Sequence, residues 1–403
     1  MRLKDLSSQM WGAPRKFDPN VGERRVSWLE LFFDLVYVIA ISRITHHLSL
    51  HLNVHGLMEF FIMFMMIFWG WVNGSLYHDL HGNEGLRTRL MTLWQMIIIA
   101  GFSITLDNTE DASYRNLTIT LMIMQLYITY LWWSVGLYDQ SHRKYNLPYT
   151  ILFLISFSAM FLSLFVSQDW LRFLIPIVLI CNYTPPFIAK LILQRDRLEL
   201  SLSSSMFERF GLFTIIIFGE LVLGVVNGMS EARPLDGIGL VNFIFALSIV
   251  FALWWIFFTL TSRAEPKSGF NAATFIELLF IPALISLGVI AACFNNLLAV
   301  AGPNPTVNKI FIFAIATLLI SIGLLLLVMY YPEQFEETRI KVRKSMWWAG
   351  GFFVLFALIT PTMNVTLFLG VLLTFILILI FVLNSMYYTL LQRQKSDKNE
   401  DDG

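Results

Sequence analysis

The sequence predicts an all-α, polytopic integral membrane helical bundle of about twelve transmembrane helices. Three observations carry that reading. The first is composition: of 403 residues, 57% are hydrophobic, 15% aromatic and 14% charged. Soluble domains carry about 25% charged residues, so most of this surface faces something other than water. The second is the length of the apolar runs. A helix crossing the hydrocarbon core needs about 20 apolar residues. Such runs lie at 28–49, 56–77, 90–107, 117–138, 149–167, 172–192, 208–227, 238–260, 273–300, 308–331, 346–363 and 365–391. The runs are continuous rather than alternating in polarity, which excludes the strands of a membrane barrel. The third is the placement of lysine and arginine. With the N-terminus in the cytoplasm, the outer segments hold only Arg115, Arg172, Arg233 and Lys309, and Arg43 falls inside the first span. Every other member of the 28 lies on the cytoplasmic side. That asymmetry fits an even number of spans with both termini cytoplasmic.

Two span boundaries are short. Ser167-Gln168-Asp169 separates the fifth from the sixth, and Pro361 to Asn364 separates the last two. The stretch 346–391 as one helix would be roughly 70 Å long at 1.5 Å per residue, more than twice the membrane, so the chain must reverse there. The expected organisation is a basic cytoplasmic segment, 1–25, without a cleavable signal sequence, then six-helix halves at 26–200 and 201–391. A charged tail at 392–403 has the composition of a disordered segment. Trp28-Leu29-Glu30-Leu31-Phe32 aligns with Met206-Phe207-Glu208-Arg209-Phe210. This short likeness would make the halves parallel repeats. Formal net charge is zero, which gives no reason to expect nucleic acid as a partner. Cys181 and Cys293 both sit in apolar runs and do not suggest a disulfide framework.

Ionisable groups inside a membrane helix are costly and tend to face the interior or a water-filled cavity. The set here is Glu30, Asp34, Arg43, Glu59, Glu208, Arg209, Glu220 and Glu277. Glu30 and Asp34, four apart, share one helix face. Two carboxylates on one face repel unless a cation or a basic residue intervenes or one is neutral. The pair therefore suits a proton or cation site, or else Asp34 pairs with an arginine and holds helices together. Glu220 lies three turns beyond Arg209. It follows Gly219, with Gly224 and Gly228 continuing a ridge of small residues that lets another helix approach. Together with Glu277, these acids are the candidate proton, ion or substrate pathway. Glu208 with Arg209 reads as an interfacial charge pair, and Arg43 with Glu59 as a structural pair near the outer face.

His47, His51 and His55 are spaced four apart, a stripe that can bind metal on a continuing helix. Asn53 and Gly56 predict that the helix ends there, so no metal site is expected. The tryptophans Trp69 and Trp71, Trp132-Trp133, Trp254-Trp255 and Trp347-Trp348 read as interfacial anchors. No cofactor is expected, and no nucleotide-binding motif is present, so ATP-driven transport would need a partner.

Three stretches resemble signatures of the bacterial low temperature requirement protein A (LtrA) family. Trp28-Leu29-Glu30-Leu31-Phe32-Phe33-Asp34-Leu35-Val36-Tyr37-Val38 is similar to its E-L-F-F-D-L-V-F-V opening. Glu208-Arg209-Phe210-Gly211-Leu212 with Ile215 to Glu220 is similar to its E-R-x-G-L…G-E segment. Arg89-Leu90-Met91 to Gln95-Met96 resembles its R-L-x-M…Q-M helix start. The chain departs from the family in two places. Leu253-Trp254-Trp255-Ile256-Phe257-Phe258-Thr259 stands where L-W-W-x-Y-F-D is common, and no histidine precedes Glu208-Arg209. The resemblance implies a multi-pass protein of the bacterial cytoplasmic (inner) membrane, and the family name implies a role in growth in the cold. It does not carry a settled activity.

The function expected from these features is that of a membrane transporter, proton- or cation-coupled through buried carboxylates, with no enzymatic activity. An ion channel is the second reading. An intramembrane lipid-modifying enzyme or a sensory protein follows, although no catalytic triad or metal spacing is evident. The partners expected are the lipid bilayer, an unidentified small solute or ion and, in a homo-oligomer, further copies of the chain.

Overall fold

In the computed structural model the described residues are 15, 26–83, 85–106, 110–138, 143–193, 202–231, 236–262, 264–267, 269–299, 303–330, 336–359 and 363–401. Most of the expected basic segment 1–25 lies outside them. The order is α1 (Trp28–Leu50), α2 (Val54–His81), α3 (Leu86–Thr105), α4 (Glu110–Tyr138), α5 (Arg143–Ser163), α6 (Gln168–Tyr183), α7 (Pro185–Leu193), α8 (Ser204–Glu231) and α9 (Gly237–Thr261). There follow β1 (Glu265–Pro266), α10 (Phe270–Ala299), α11 (Pro305–Val328), β2 (Met329–Tyr330), α12 (Glu336–Ile359) and α13 (Val365–Asp401). The architecture is all-α, with β1 and β2 forming a two-residue antiparallel clasp, Glu265 opposite Tyr330.

Several helices start where the sequence supplies a polar cap. Asp236 accepts from the Gly239 amide at 2.6 Å, Asn304 from Val307 at 3.2 Å and Asn364 from Leu367 at 2.8 Å. Such caps satisfy amides that the first turn leaves open. Between caps, a helix meets its own backbone hydrogen bonds, as the bilayer interior demands. The flanks remain apolar and open: Leu355, Leu358, Ile359 and Phe381 are all more than 60% exposed. Lipid, not water, is the solvent that suits such a surface.

Among the described residues, ten helices are long and apolar enough to cross a membrane, and an eleventh crossing arises if a bent pair is one span. That pair is α6 with α7, angled 45° apart. The sequence reads 172–192 as one straight span, but Pro185-Pro186 interrupts it, since proline lacks the amide an unbroken helix needs and clashes with the preceding turn. The twelfth expected span, α1, has 23 residues but is not among the ten, and Glu30, Asp34 and Arg43 interrupt its apolar sequence. The last helix runs on to Asp401, through the charged tail whose composition suggests disorder.

The chain divides into two compact units, one of Met1–Ile44, Glu59–Phe213 and Ser268–Thr274, the other of Thr45–Met58, Thr214–Lys267 and Phe275–Gly403. In the first unit α3, α4, α5, α6 and α7 pack in succession, around a buried aromatic core that includes Trp69, Trp132, Tyr149 and Phe153. In the second, α11 packs along α12 and α9 along α13.

Small residues set close helix contacts within the second unit. A Cβ on Gly224 would collide with the Ala291 carbonyl oxygen, and one on Gly228 would stand 2.6 Å from the Asn295 oxygen. Gly219, expected to begin this ridge, has nothing within 4 Å of its would-be Cβ, so the close approach begins more than a turn later. Gly228→Leu is therefore expected to cost at least about 1–3 kcal/mol through overpacking, whereas Gly219→Ala should leave stability unchanged or slightly raised. Thermal unfolding in detergent compares the two.

Candidate functional site

On α1 the residues Phe33, Asp34, Tyr37, Val38 and Ile41 are buried, while Phe32, Leu35 and Ile39 are exposed. The helical period thus turns the Glu30–Asp34 face inward. Asp34 is 0% exposed, Glu30 3% and Arg209 1%. Arg209, on the second turn of α8, reaches Asp34 with two donors. Its Nη2 donates to Oδ1 at 2.5 Å and its Nε to Oδ2 at 3.3 Å. This is the forked geometry that makes arginine–carboxylate pairs strong. Trp71 Nε1 adds a donor to Asp34 Oδ1 at 2.8 Å. The remaining guanidinium nitrogen, Nη1, lies 3.6 Å from Glu30 Oε1 and has no hydrogen-bond partner among the described residues. One guanidinium therefore faces two carboxylates.

Aromatic rings close the site. Arg209 lies 5.6 Å from the Phe33 ring centre and 5.7 Å from that of Trp71. Trp71 stacks on Phe213 at 4.3 Å and meets Phe210 edge-on at 5.2 Å. Phe210 and Phe213 come from the same helix as Arg209, so α8 supplies both the cation and part of the wall that excludes water from it. Exclusion of water strengthens the pair's attraction and raises the cost of leaving either member unpaired.

Glu30 also has a local role. Its Oε2 accepts from the Ser27 amide at 2.9 Å and from Ser27 Oγ at 2.8 Å, while Ser27 Oγ lies 3.4 Å from the Glu30 amide. This is a capping box, and the signal is plain in Ser27-Trp28-Leu29-Glu30. It fixes one oxygen of Glu30 at the helix start and leaves the other toward Arg209.

A second polar contact lies on the same face of α1. Gln95 Nε2 donates to Tyr37 Oη at 2.7 Å and to the Gly70 carbonyl at 2.9 Å. A Cβ at Gly74 would lie 2.5 Å from the Gln95 amide, so glycine there makes room for it. Farther along the unit, Gln125 Nε2 donates to Asn182 Oδ1 at 3.0 Å, just ahead of the α6–α7 bend.

Several expectations change. Arg209 is not an interfacial partner of Glu208. Neighbouring residues on a helix point about 100° apart, so Glu208 is exposed while Arg209 is buried against Asp34. Trp69, Trp71 and Trp132 are not interfacial anchors but are buried, at 1%, 0% and 0% exposure. Trp71 donates to Asp34, and Trp132 Nε1 donates to Asn73 Oδ1 at 3.0 Å. A buried indole usually finds an acceptor for its N–H; Asp34 and Asn73 provide one for Trp71 and Trp132, whereas Trp69 Nε1 has no hydrogen-bond partner among the described residues. Apart from these changes, Glu59, the expected partner of Arg43, accepts from Tyr114 Oη at 2.5 Å, and Arg43 lies at an exposed position of α1. His47 and His51 rings lie 5.0 Å apart, with His51 Nδ1 3.2 Å from the His47 carbonyl. No group of three or more metal-ligating residues forms among the described residues, and His55 completes no such set. Glu30 and Asp34 belong to the first unit, and Glu220 and Glu277 to the second. Glu220 is buried. Glu277 is half-buried. Cys181 and Cys293 are free and buried.

A helical membrane protein with an arginine–carboxylate centre sealed among aromatic rings is the class these features define. The family model of the bacterial low temperature requirement A protein (LtrA) matches residues 25–383. The chain belongs to that family. It is also similar to an uncharacterized protein of Rhizobium meliloti (strain 1021), at 24% identity over 245 residues, covering 59% of this chain and 59% of that protein. No solved structure matches.

Trp71→Phe keeps the ring but removes the donor to Asp34. It is expected to cost about 1.5–3 kcal/mol, the range for a hydrogen bond to a charged group. Ser27→Ala, which opens the capping box, should cost about 0.5–2 kcal/mol. Chemical denaturation in detergent, with both variants beside wild type, measures these losses.

Proposed function

We propose that this chain is a secondary transporter of the bacterial inner membrane, coupled to protons or a monovalent cation through the Asp34–Arg209–Glu30 centre. The observation that carries the reading is the surplus carboxylate: one buried guanidinium holds Asp34 with two donors and presents a third, unsatisfied nitrogen to Glu30. Such a centre has two arrangements. With Asp34 ionised, the fork closes on it. A proton on Asp34 removes the charge that holds the fork, and Glu30 becomes the stronger acceptor for Arg209. The guanidinium then shifts toward Glu30, and α1 and α8 adjust with it. A small electrostatic event thereby biases a two-state element. The excess of negative charge favours a proton or cation over an anion.

The stability argument points the same way. A buried ion pair is often no more stabilising than an apolar replacement, since desolvation offsets its attraction. Intramembrane charges of this kind mark pathways and relays. Glu220 and Glu277, acids on spans of the second unit, extend the set of protonatable groups. The distribution of lysine and arginine supports both termini in the cytoplasm, and the carrier reading requires no catalytic chemistry.

The test is flux. The purified protein, reconstituted in liposomes, is expected to move protons or a monovalent cation down an imposed gradient. Asp34→Asn should reduce that flux at least tenfold, while Glu30→Gln, which keeps the Asp34 fork, should retain part of it. Monodispersity and a melting transition establish that each variant is folded. Wild-type protein that passes no ion under any gradient, or Asp34→Asn with undiminished flux, overturns the reading.

A further inference from the structure

The basic start of α12 carries a second arrangement that the transport reading does not use. Its sequence is Arg339-Ile340-Lys341-Val342-Arg343-Lys344-Ser345-Met346-Trp347-Trp348. Two of the four cations are committed: Arg339 Nη1 donates to the Met329 carbonyl at 3.0 Å, and Lys341 pairs with Glu337 at 2.6 Å. Arg343 is different. Its guanidinium lies 5.4 Å from the centre of the Trp347 ring, and its buried Nε, like that of Arg339, has no hydrogen-bond partner among the described residues. Lys344, the next residue, is exposed.

The ring under Arg343 is held in place. A Cβ on Gly323 of α11 would stand 2.5 Å from Trp347 Cδ1 and Nε1, so the indole rests against bare backbone. Trp348, beside it, is 80% exposed. The span ends at Ile359. The apolar run of this span begins at residue 346, which sets Arg343 and Lys344 just outside it and both indoles on its first turn, at the boundary between hydrocarbon and headgroups. Tryptophan collects at that depth, and basic residues there attract anionic lipid.

We propose that Arg343 and Lys344, backed by Trp347, form a binding site for the phosphate of an anionic phospholipid headgroup. A guanidinium held over an indole by cation–π attraction still offers its fork to phosphate oxygens. The neighbouring ammonium supplies a second charge, and the exposed indole of Trp348 lies against the glycerol and upper acyl region. The site's position favours a lipid source of that phosphate over a free ion.

The test uses the full chain in detergent, titrated with dioleoylphosphatidylglycerol, dioleoylphosphatidylcholine or inorganic phosphate. Native mass spectrometry reads retained lipid, and thermal unfolding reads stabilisation. Wild type is expected to retain phosphatidylglycerol in preference to phosphatidylcholine. Arg343→Gln with Lys344→Gln should weaken that retention by roughly 25-fold, about fivefold per charge, while its melting without lipid matches wild type. Arg343→Lys, which keeps the charge, should retain most of the binding. If the double variant does not fold, Lys344→Gln alone, at an exposed position, should still show about a fivefold loss. Equal retention of phosphatidylcholine, or unchanged retention by the glutamine variants, overturns the site. Stabilisation by inorganic phosphate equal to that by phosphatidylglycerol overturns the lipid assignment.

Discussion

A guanidinium cannot be buried without an anion, and the contact of Arg209 with Asp34 meets that requirement for the first unit. Asp34 sits on α1 and Arg209 on α8, 175 positions apart in the chain. Each is fully enclosed, so neither helix can take its place without the other. The rings of Phe33, Trp71, Phe210 and Phe213 follow from this pairing. They supply the water-free volume in which the ions attract strongly, and Trp71 adds a donor that the second lone pair of Asp34 Oδ1 would otherwise lack. Glu30 is drawn in from the same face, one oxygen tied to the start of α1 and the other toward Arg209. The capping box, the ion pair and the aromatic wall are therefore one construction with a surplus negative charge at its centre.

The three stretches that carry the family resemblance meet in this region. Asp34 of the first pairs with Arg209 of the second, and Gln95 of the third donates to Tyr37 of the first. Their polar residues read as isolated motifs in one dimension. In the folded chain they are partners, and the hydrogen bonds between them account for the residue types. Gly74 belongs to the same set, because it leaves space for the Gln95 amide.

Much of the fold was legible because membrane helices are written in run length. Nearly every expected span appears as a helix near its expected position, and some of them start at a cap such as Asp236, Asn304 or Asn364. The bend at Pro185-Pro186 was also present in the sequence, but two prolines near the end of an apolar run do not reveal whether it stops or turns. The site was partly legible. Asp34, Glu30 and Arg209 stand out as charges in apolar surroundings, and Ser27-Trp28-Leu29-Glu30 is a recognisable cap. Which arginine meets Asp34 was not readable, because pairing across 175 positions leaves no local pattern. Trp71 was hidden for a different reason. An indole favours a membrane interface and a buried acceptor alike, and only the position of Asp34 decides between them. Gly219 shows the converse error: glycine beside an acid suggests a close contact, yet the contacts fall at Gly224 and Gly228, where α10 is near.

The central claim is that Asp34 and Arg209 depend on each other, and a double-mutant cycle measures that dependence directly. Unfolding free energies of Asp34→Asn, Arg209→Gln and the double variant would be compared with wild type in the same detergent. Arg209→Gln should cost about 3–5 kcal/mol, because it leaves a buried carboxylate without its cation. The double variant should lose less than the sum of the singles, with a coupling of about 2–3 kcal/mol. Losses that add within about 0.5 kcal/mol would mean that the two residues act independently, and the account of a shared charged centre would be contradicted.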